Sequence, residues 1–221
     1  IIGDVHGCAN EFTTLLEKVS FVRGEDILVL TGDIVAKGPA SQDALRIAME
    51  HSAFFVRGNH DWEVLRRRQL AQPSLGVTTG ETATTHDHLA ISLSDDEVSY
   101  LASGPHMLYI PAYDTLVVHA ALRFPEILQT NPYDAMHARN VVEITQNVSS
   151  QSSREESLEA STDFSHRKFP KWLSNGTFVD NIPQYTLTED INVGTPWAAA
   201  YPAGRDLPFV VFGHDARRGL Q

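Results

Sequence analysis

The sequence predicts an α/β fold in which helices lie outside a sheet. Two observations support this class: short apolar runs rich in β-branched residues recur along the 221 residues, and segments with helical spacing alternate with them. A third observation is that each apolar run ends in a small group of polar residues. Sites in such folds form at the carboxyl ends of strands, so the alternation also predicts where a site lies.

Five apolar runs are predicted as buried strands, because each is short and is bounded by glycine or polar residues. In chain order they are 1–2, 27–30, 54–56, 116–118 and 209–212. The polar groups that follow them lie at 3–7, 31–33, 57–61, 119 and 213–215. Strands are rigid elements, and a side chain at the end of one is held in a defined place.

Four helices are predicted between these strands. The first has apolar residues at positions 12, 15, 16 and 19, which form one helical face, and Asn10 as its N-cap. Ser41 is predicted to cap the second helix, and residues 62–70 form the third. Ser94 and Glu97 have the spacing of a capping box and predict the start of a fourth helix.

The composition argues against some classes of protein. Seventeen basic and 28 acidic residues give a net charge of −11, whereas a protein that coats nucleic acid is normally basic. No run of about 20 apolar residues occurs, so we expect no membrane span. The single cysteine, Cys8, leaves no internal disulfide, which fits a reducing compartment, and we expect a cytoplasmic protein.

We expect one domain over residues 1–221, interrupted at both ends, because the chain starts inside a motif without a methionine. Residues 147–163 are rich in serine and glutamate, and this composition predicts a mobile insertion rather than a linker between folded domains. The sequence does not set the oligomeric state.

Six side chains after these strands are candidate metal ligands: Asp4, His6, Asp33, Asn59, His119 and His214. Asp4 and His6 lie two residues apart, so in an extended segment they face the same side. The carboxylate of Asp33 has two oxygens and can bridge two metals. Taken singly, each candidate has a simpler interpretation, such as a polar loop, a helix N-cap or a hydrogen-bonded core histidine. Together and in this order they predict a binuclear site, and such ligands suit Mn, Fe, Co or Zn.

These motifs carry a resemblance to a known family. The segments 3–7, 32–35, 58–61, 118–120 and 213–214 read Gly-Asp-x-His-Gly, Gly-Asp-x-Val, Gly-Asn-His-Asp, Val-His-Ala and Gly-His. This series resembles the metallophosphatase signature of the phosphoprotein-phosphatase superfamily. Within it, residues 32–39 are similar to the diadenosine tetraphosphatase ApaH and to ApaH-like phosphatases. Lysine at position 37, where arginine is usual, looks most like the eukaryotic branch.

The resemblance implies a four-layer αββα sandwich of two sheets flanked by helices, with two divalent metals. Asp4, His6 and Asp33 would hold one metal, and Asp33, Asn59, His119 and His214 would hold the other. His60 would be the general acid, and we expect Asp61 beside it to be catalytic as well. Lys37 would contact phosphate oxygens. Arg123 and Arg139 are further candidate phosphate contacts, although no tight motif anchors them.

The chain departs from the protein phosphatases at Ala36, where those enzymes have an aspartate that supports the catalytic histidine. A serine or threonine alkoxide is a poor leaving group and needs that proton, whereas a phosphate leaving group is less basic. We therefore expect phosphoanhydride substrates: dinucleoside polyphosphates, capped RNA or polyphosphate. The acidic charge favours a small nucleotide. A serine/threonine phosphatase and a catalytically silent binding scaffold are the alternatives.

Other polar and aromatic groups have simpler interpretations. The segment 86–88, His-Asp-His, is predicted as a polar loop, because an isolated histidine pair rarely closes a metal site. The arginines at 66–68 are predicted as the solvated face of a helix. Trp172 and Trp197 are predicted to pack rather than to stack on a purine, and Cys8 is predicted as a small packing residue.

Overall fold

The computed structural model describes residues 1–70, 83–124, 126–143, 185–201 and 207–215. The expected insertion at 147–163 and the packing of Trp172 lie outside these residues. The described chain has seven helices, α1 (Ala9–Lys18), α2 (Ser41–Glu50), α3 (Asn59–Leu70), α4 (Thr85–Ser92), α5 (Asp95–Ser103), α6 (Pro132–His137) and α7 (Trp197–Ala200). It has eight strands, β1 (Val29–Leu30), β2 (Phe54–Phe55), β3 (Met107–Ile110), β4 (Thr115–Val118), β5 (Asn140–Glu143), β6 (Tyr185–Thr188), β7 (Thr195–Pro196) and β8 (Phe209–Val211). The predicted mixed α/β class is confirmed.

Two sheets pack against each other in the centre of the molecule. In one, β1 and β2 run parallel, and Ile2 adds a parallel bridge to Leu30. In the other, β4 lies between β3 and β8, antiparallel to β3 and parallel to β8. Val29, Val56 and Val117 meet in one apolar cluster between the sheets. Neighbouring strand residues point to opposite faces, so each sheet also has an outer face to cover.

Helices cover the outer face of the first sheet. Leu30 and Phe55 from the strands are buried with Phe12 of α1, Leu45 of α2 and Leu101 of α5. Their burial supplies the apolar driving force that places α1, α2 and α5 on the sheet. Of the face predicted for α1, Phe12 and Leu16 are buried, whereas Leu15 and Val19 are exposed.

The outer face of the second sheet packs on a mixed layer. Leu116 and Val118 of β4 are buried with Val141 of β5 and Trp197 of α7. The three antiparallel strands β6, β5 and β7 form a small third sheet. The layers therefore follow the expected order of helix, sheet, sheet and helix, with a third sheet that the sequence analysis did not predict. Trp197 is 4% exposed and its ring lies 4.7 Å from that of Phe212, so the prediction that it packs is confirmed.

The helix caps correct two predictions. Helix α1 begins at Ala9 with Cys8 as N-cap, so the assignment of Asn10 is wrong. Helix α2 begins at Ser41 itself, whose Oγ accepts a hydrogen bond from the N–H of Ala36 at 3.0 Å. That hydroxyl holds the preceding loop instead of capping the helix. The Ser94 box is confirmed, since the N–H of Ser94 donates to the Glu97 carboxylate at 2.8 Å.

The segment 86–88 was predicted to be a loop, but it lies in helix α4, so this prediction is wrong. The reason is a second capping box: the N–H of Thr84 donates to the carboxylate of Asp87 at 2.7 Å, and this bond starts the helix. Thr84-x-x-Asp87 is a sequence signal for a helix start that the polar character of the segment concealed.

Two of the three arginines of α3, Arg67 and Arg68, differ from their prediction. Arg67 forms ion pairs with Glu63 at 2.6 Å and with Asp87 of α4 at 2.5 Å. Arg68 donates to the carbonyl of Ala90 at 2.9 Å. These two side chains join α3 to α4 rather than forming a solvated face.

No helix among the described residues has both the length and the apolar content needed to cross a bilayer.

Candidate metal centre

Asp33 lies at the centre of the candidate site, directly after β1. Its carboxylate is almost fully buried, and Oδ1 accepts a hydrogen bond from the backbone N–H of His60 at 2.9 Å. Oδ2 lies 3.5 Å from Nε2 of His6 and 3.5 Å from Nε2 of His119. A single carboxylate oxygen is thus equally near two imidazoles that follow strands of different sheets. This is the arrangement of a carboxylate that can bridge two metal ions.

Asp4 and His6 form the first side of the site. Oδ2 of Asp4 lies 3.9 Å from Nε2 of His6. The two carboxylate oxygens of Asp4 accept the N–H of His214 at 3.1 and 3.0 Å, which joins residues from opposite ends of the chain. Nδ1 of His6 lies 3.4 Å from the carbonyl of Val35, where it can donate, and this leaves Nε2 as an electron-pair donor toward the carboxylates.

Asn59, His119 and His214 form the second side. Nδ1 of His119 is 2.8 Å from the carbonyl of Thr31 and donates to it, so its Nε2 carries a lone pair. That Nε2 lies 3.1 Å from Oδ1 of Asn59 and 3.2 Å from Nδ1 of His214. Oδ1 of Asn59 and Nδ1 of His214 are themselves 3.1 Å apart. Several electron-pair donors this close together suit a shared cation. Nε2 of His214 is buried and finds no hydrogen-bond partner among the described residues.

The protonation of the site fits metal binding as well. Burial lowers the pKa of His6 and of His119, and it lowers the pKa of His214 to about 2, so these rings are neutral, as ligation requires. Burial raises the pKa of Asp33 to about 7, helped by the nearby charge of Asp4. A cation at this place would favour the ionised carboxylate. One ligand atom each from Asp4, Asp33 and His119 lies within 4.8 Å of the others. The donor set therefore fits a pair of divalent metals.

Glycines allow the backbone to approach these ligands. A Cβ on Gly58 would collide with the carboxylate and the backbone nitrogen of Asp33. A Cβ on Gly213 would collide with the carboxylate of Asp4. Gly58 and Gly213 therefore have a steric reason to be glycine, because a larger residue would displace a candidate ligand.

The family follows from a comparison with known proteins. A profile of the calcineurin-like phosphoesterases matches residues 1–218, which is nearly the whole chain and includes all six candidate ligands. The chain belongs to the calcineurin-like phosphoesterase family. Members of this family use a binuclear divalent metal centre, and the donor set around Asp33 fits that chemistry.

Two curated relatives and one solved structure resemble this phosphoesterase in particular. A symmetrical bis(5'-nucleosyl)-tetraphosphatase of Aliivibrio fischeri is 34% identical over 124 residues, 55% of this chain and 44% of the relative. The protein of the same name from Escherichia coli (strain K12 / DH10B) is 52% identical over 67 residues, 29% of this chain and 24% of the relative. The matched segments thus span less than half the length of these relatives. A crystal structure described as a candidate diadenosine tetraphosphatase has a TM-score of 0.70 at 32% identity and covers 100% of this chain and 76% of that one.

His60 of this phosphoesterase begins helix α3 beside Asn59. Its backbone N–H donates to Asp33, and its ring lies edge-on to that of His6 with centroids 5.2 Å apart. Burial lowers the pKa of His60 to about 3, and the charge of Lys37 contributes to the shift. A polyphosphate beside the ring would raise this pKa, because a negative charge favours the imidazolium.

Asp61, predicted as catalytic, lies in a different position from His60. Its carboxylate is fully buried and accepts hydrogen bonds from the N–H groups of Ile34 at 2.9 Å, Val35 at 3.2 Å and Gly58 at 3.1 Å. These bonds join the loop after β1 to the loop after β2. Asp61 therefore lies where it can hold the loops that carry Asp33 and Asn59, and its expected catalytic role stays a prediction.

The predicted phosphate contacts fall into two groups. Lys37 is exposed, and its Nζ lies 2.8 Å from Nε2 of His6, at the edge of the metal site. Arg139 lines a small cleft together with His214 and pairs with Asp215 at 3.1 Å. Arg123 is exposed and pairs with Glu126 in its own loop at 3.5 Å. The structure thus places Lys37 and Arg139 beside candidate ligands, and the contacts described for Arg123 are local.

Sequence reasoning missed two polar contacts of the site. The carbonyl of Thr31 orients His119, a role that any residue type could fill, so the sequence carried no signal for it. His86 of α4 lies against His60, with Nε2 at 2.9 Å from Nδ1 of that ring. Its signal was the capping box at Thr84, which places His86 on a helix instead of in a loop.

Proposed function

We propose that this chain is a two-metal phosphohydrolase that cleaves phosphoanhydride bonds in dinucleoside polyphosphates. The observation that carries the metal assignment is the Oδ2 atom of Asp33, which lies 3.5 Å from an imidazole nitrogen on either side. Asp4, His6 and Asp33 would hold the first metal. Asp33, Asn59, His119 and His214 would hold the second. Mn, Fe, Co and Zn all suit these ligands.

The metals, when bound, supply an activated water and polarise the phosphoryl oxygens. Lys37 binds phosphate oxygens, and for this its ammonium moves away from Nε2 of His6, which is needed as a ligand. Arg139 binds the chain of phosphates from the cleft beside His214. As the oxygen of the attacking water bonds to phosphorus, the bond from phosphorus to the leaving oxygen breaks, and that oxygen keeps the electron pair and takes the proton from His60. Solvent returns the proton to the ring.

The choice of an anhydride rests on Ala36 and on the relatives. Ala36 is fully buried and offers only a methyl group where the protein phosphatases have an aspartate, so their support for the catalytic histidine is missing. A nucleotide leaving group depends less on a strong acid than an alkoxide does. The relatives named as symmetrical bis(5'-nucleosyl)-tetraphosphatases support a dinucleoside tetraphosphate. The net charge of −11 makes capped RNA and polyphosphate less suitable, because their backbones need a basic path.

A substrate panel with Mn, Co or Zn tests this function. Its members are a dinucleoside tetraphosphate, capped RNA, polyphosphate and a phosphoserine peptide. We expect kcat/KM to be highest for the tetraphosphate and the products to be two nucleoside diphosphates, as symmetrical cleavage requires. Preferred turnover of the phosphopeptide would favour the serine/threonine phosphatase. A protein that binds metal fully and cleaves no substrate of the panel would favour the binding scaffold.

Two substitutions connect the activity to this site. Asp33→Asn should lower kcat/KM by at least about 100-fold. Loss of a residue that is hydrogen-bonded to a metal ligand usually costs about 10- to 100-fold, and loss of the bridging carboxylate itself should cost more. His60→Ala should lower kcat by roughly 10²- to 10⁴-fold, the usual contribution of a general acid. Asp43→Asn on α2 and His88→Ala on α4 change exposed residues of the same types and should leave both constants unchanged. Equal effects of Asp33→Asn and Asp43→Asn would contradict the assignment.

A further inference from the structure

We propose that His86 is a positioning residue that orients the imidazole of His60 for proton donation. The proposal rests on the proposed role of His60 as general acid. Ala36 leaves His60 without the aspartate that supports the corresponding histidine in protein phosphatases. His86, which comes from a different helix, contacts the same ring and takes the place of that support.

The geometry between the two rings is that of a hydrogen bond. Nδ1 of His60 lies 2.9 Å from Nε2 of His86. The ring planes differ by 16° and the centroids are 5.1 Å apart. This separation is that of two rings placed end to end in nearly one plane, whereas rings stacked face to face would lie closer. An N–H directed in its ring plane at the lone pair of the other nitrogen gives a hydrogen bond near its best angle.

This bond engages one nitrogen of His60 and leaves the other for the substrate. With Nδ1 held by His86, Nε2 is the ring nitrogen that can donate to a leaving oxygen. As a general acid, His60 carries a hydrogen on both ring nitrogens, and its Nδ1–H donates to the lone pair on Nε2 of His86. Nδ1 keeps its hydrogen when Nε2 gives up the proton, so the bond to His86 persists through the transfer. The ring of His6, edge-on at 5.2 Å, contacts His60 from another direction.

The position of His86 is fixed by contacts between the two helices concerned. Helix α3 carries His60 and also Arg67 and Arg68. Arg67 pairs with Asp87, the residue after His86, at 2.5 Å, and Arg68 donates to the carbonyl of Ala90 at 2.9 Å. These contacts hold α4 on α3, so the distance between the two imidazoles is set by the packing of their helices and not by a mobile loop.

The leaving group distinguishes a positioning role from a structural one. Phenyl phosphate has a basic leaving group that needs a proton, whereas 4-nitrophenyl phosphate does not. We expect His86→Ala to lower kcat about 10-fold on phenyl phosphate and to change it little on the nitrophenyl ester, with KM unchanged on both. His86→Gln, whose amide oxygen can accept the N–H of Nδ1 of His60, should recover part of this loss. His88→Ala, an exposed position on the same helix, should change neither rate.

A double substitution tests whether His86 acts through His60. The variant with both His60→Ala and His86→Ala should be no slower than His60→Ala alone, because residues that act as one unit are not additive. Equal losses on the two esters, or additive losses in the double variant, would overturn the proposal. These esters carry no nucleotide, so a failure to cleave dinucleoside tetraphosphate would refute the proposed substrate and leave this test intact.

A measurement without turnover gives an independent answer. Long-range ¹H–¹⁵N spectra of the Zn-loaded protein report which ring nitrogen of His60 carries the proton. We expect a single tautomer in the wild type and in His88→Ala, and a mixture of both in His86→Ala. A His60 tautomer that is the same in His86→Ala as in the wild type would overturn the proposal even if no ester were hydrolysed.

Discussion

At the scale of single residues, three of the six candidate ligands have backbone conformations that are uncommon for their type. His6, Asp33 and His214 have φ values of 48°, 50° and 68°. Residues other than glycine rarely adopt this left-handed region, and where they do so the surrounding structure holds them there. Each of the three follows an apolar run, and the turn directs its side chain to the common site. The geometry of the ligands therefore depends on the glycines beside them as much as on the ligands.

The glycine at position 58 gives a prediction at this scale. Gly58→Ala should weaken metal binding by about 10- to 100-fold, because the new Cβ collides with Asp33 and displaces its carboxylate. Calorimetric titration with Mn measures the affinity, and circular dichroism shows whether the variant folds. Gly213→Ala, which displaces Asp4, is a second variant with the same expected direction. Gly3→Ala is the matched control, since its Cβ meets no atom within 4 Å. Equal affinities for Gly58→Ala and Gly3→Ala would contradict the prediction.

At the scale of the elements, helices α1 and α2 end in the same way. After α2, the N–H of Ala53 bonds to the carbonyl of Ala48 and the N–H of Ser52 bonds to that of Met49. This pair of bonds is a Schellman motif, and it places Ser52 in the left-handed region with φ of 50°. Ser20 has the same place after α1, with φ of 54°. Serine is an unfavourable choice at both positions, where glycine is preferred.

Replacement of these serines by glycine should stabilise the protein. Ser52→Gly relieves the contact of Cβ with the backbone, which costs roughly 1 kcal/mol in the left-handed region. For a chain of this size we expect the melting temperature to rise by about 2–4 °C. Ser52→Ala keeps the Cβ and should give no such rise. Thermal unfolding of both variants, and of Ser20→Gly as a repeat at the end of α1, measures the effect. A rise with alanine as large as that with glycine would show that the backbone conformation is not the cause.

At the scale of the whole molecule, the site joins parts of the chain that are far apart in sequence. The carboxylate of Asp4 accepts the N–H of His214, and Nε2 of His119 meets Oδ1 of Asn59. The buried carboxylate of Asp33 lies among these groups without an opposite charge close enough to keep its pKa low. The candidate metal site around Asp33 therefore destabilises the folded protein until a cation binds, and it stabilises the folded protein afterwards.

Metal removal and Asp33→Asn should thus have opposite effects. Removal of metal by a chelator should lower the melting temperature of the wild type, since a ligand at 100 times its dissociation constant contributes about 2.7 kcal/mol. In the metal-free protein, Asp33→Asn should be more stable than the wild type. The raised pKa of Asp33 means that its stabilising contribution is complete below about pH 4 and is lost as the pH rises to about 7. The difference between the two proteins should therefore grow over this range. Thermal unfolding with and without Mn tests both signs, and a difference that does not change with pH would contradict the electrostatic cause.

The sequence by itself determined the α/β class, the order of the strands that carry the site and the six candidate ligands. It could do so because each of these features depends on local residue types. Glycine allows a tight turn, a β-branched run favours a strand, and Asp, Asn and His can bind a metal. The family comparison confirmed the phosphoesterase, and the core buries Leu28 to Leu30, Phe55, Val56 and Leu116 to Val118, whereas Ile27, Phe54 and Phe209 of the predicted buried runs are exposed.

The tertiary structure alone decided which side chains meet from different elements. It placed Asp61 under the loops after β1 and β2, paired Arg67 with Asp87, and brought His86 to His60. The capping box at Thr84 places His86 on a helix, but the contacts themselves have no local signature, because each depends on how one helix packs on another element. Local chemistry specifies the strand ends and their residues, whereas a contact between distant segments exists only once burial of the apolar faces has fixed their relative positions.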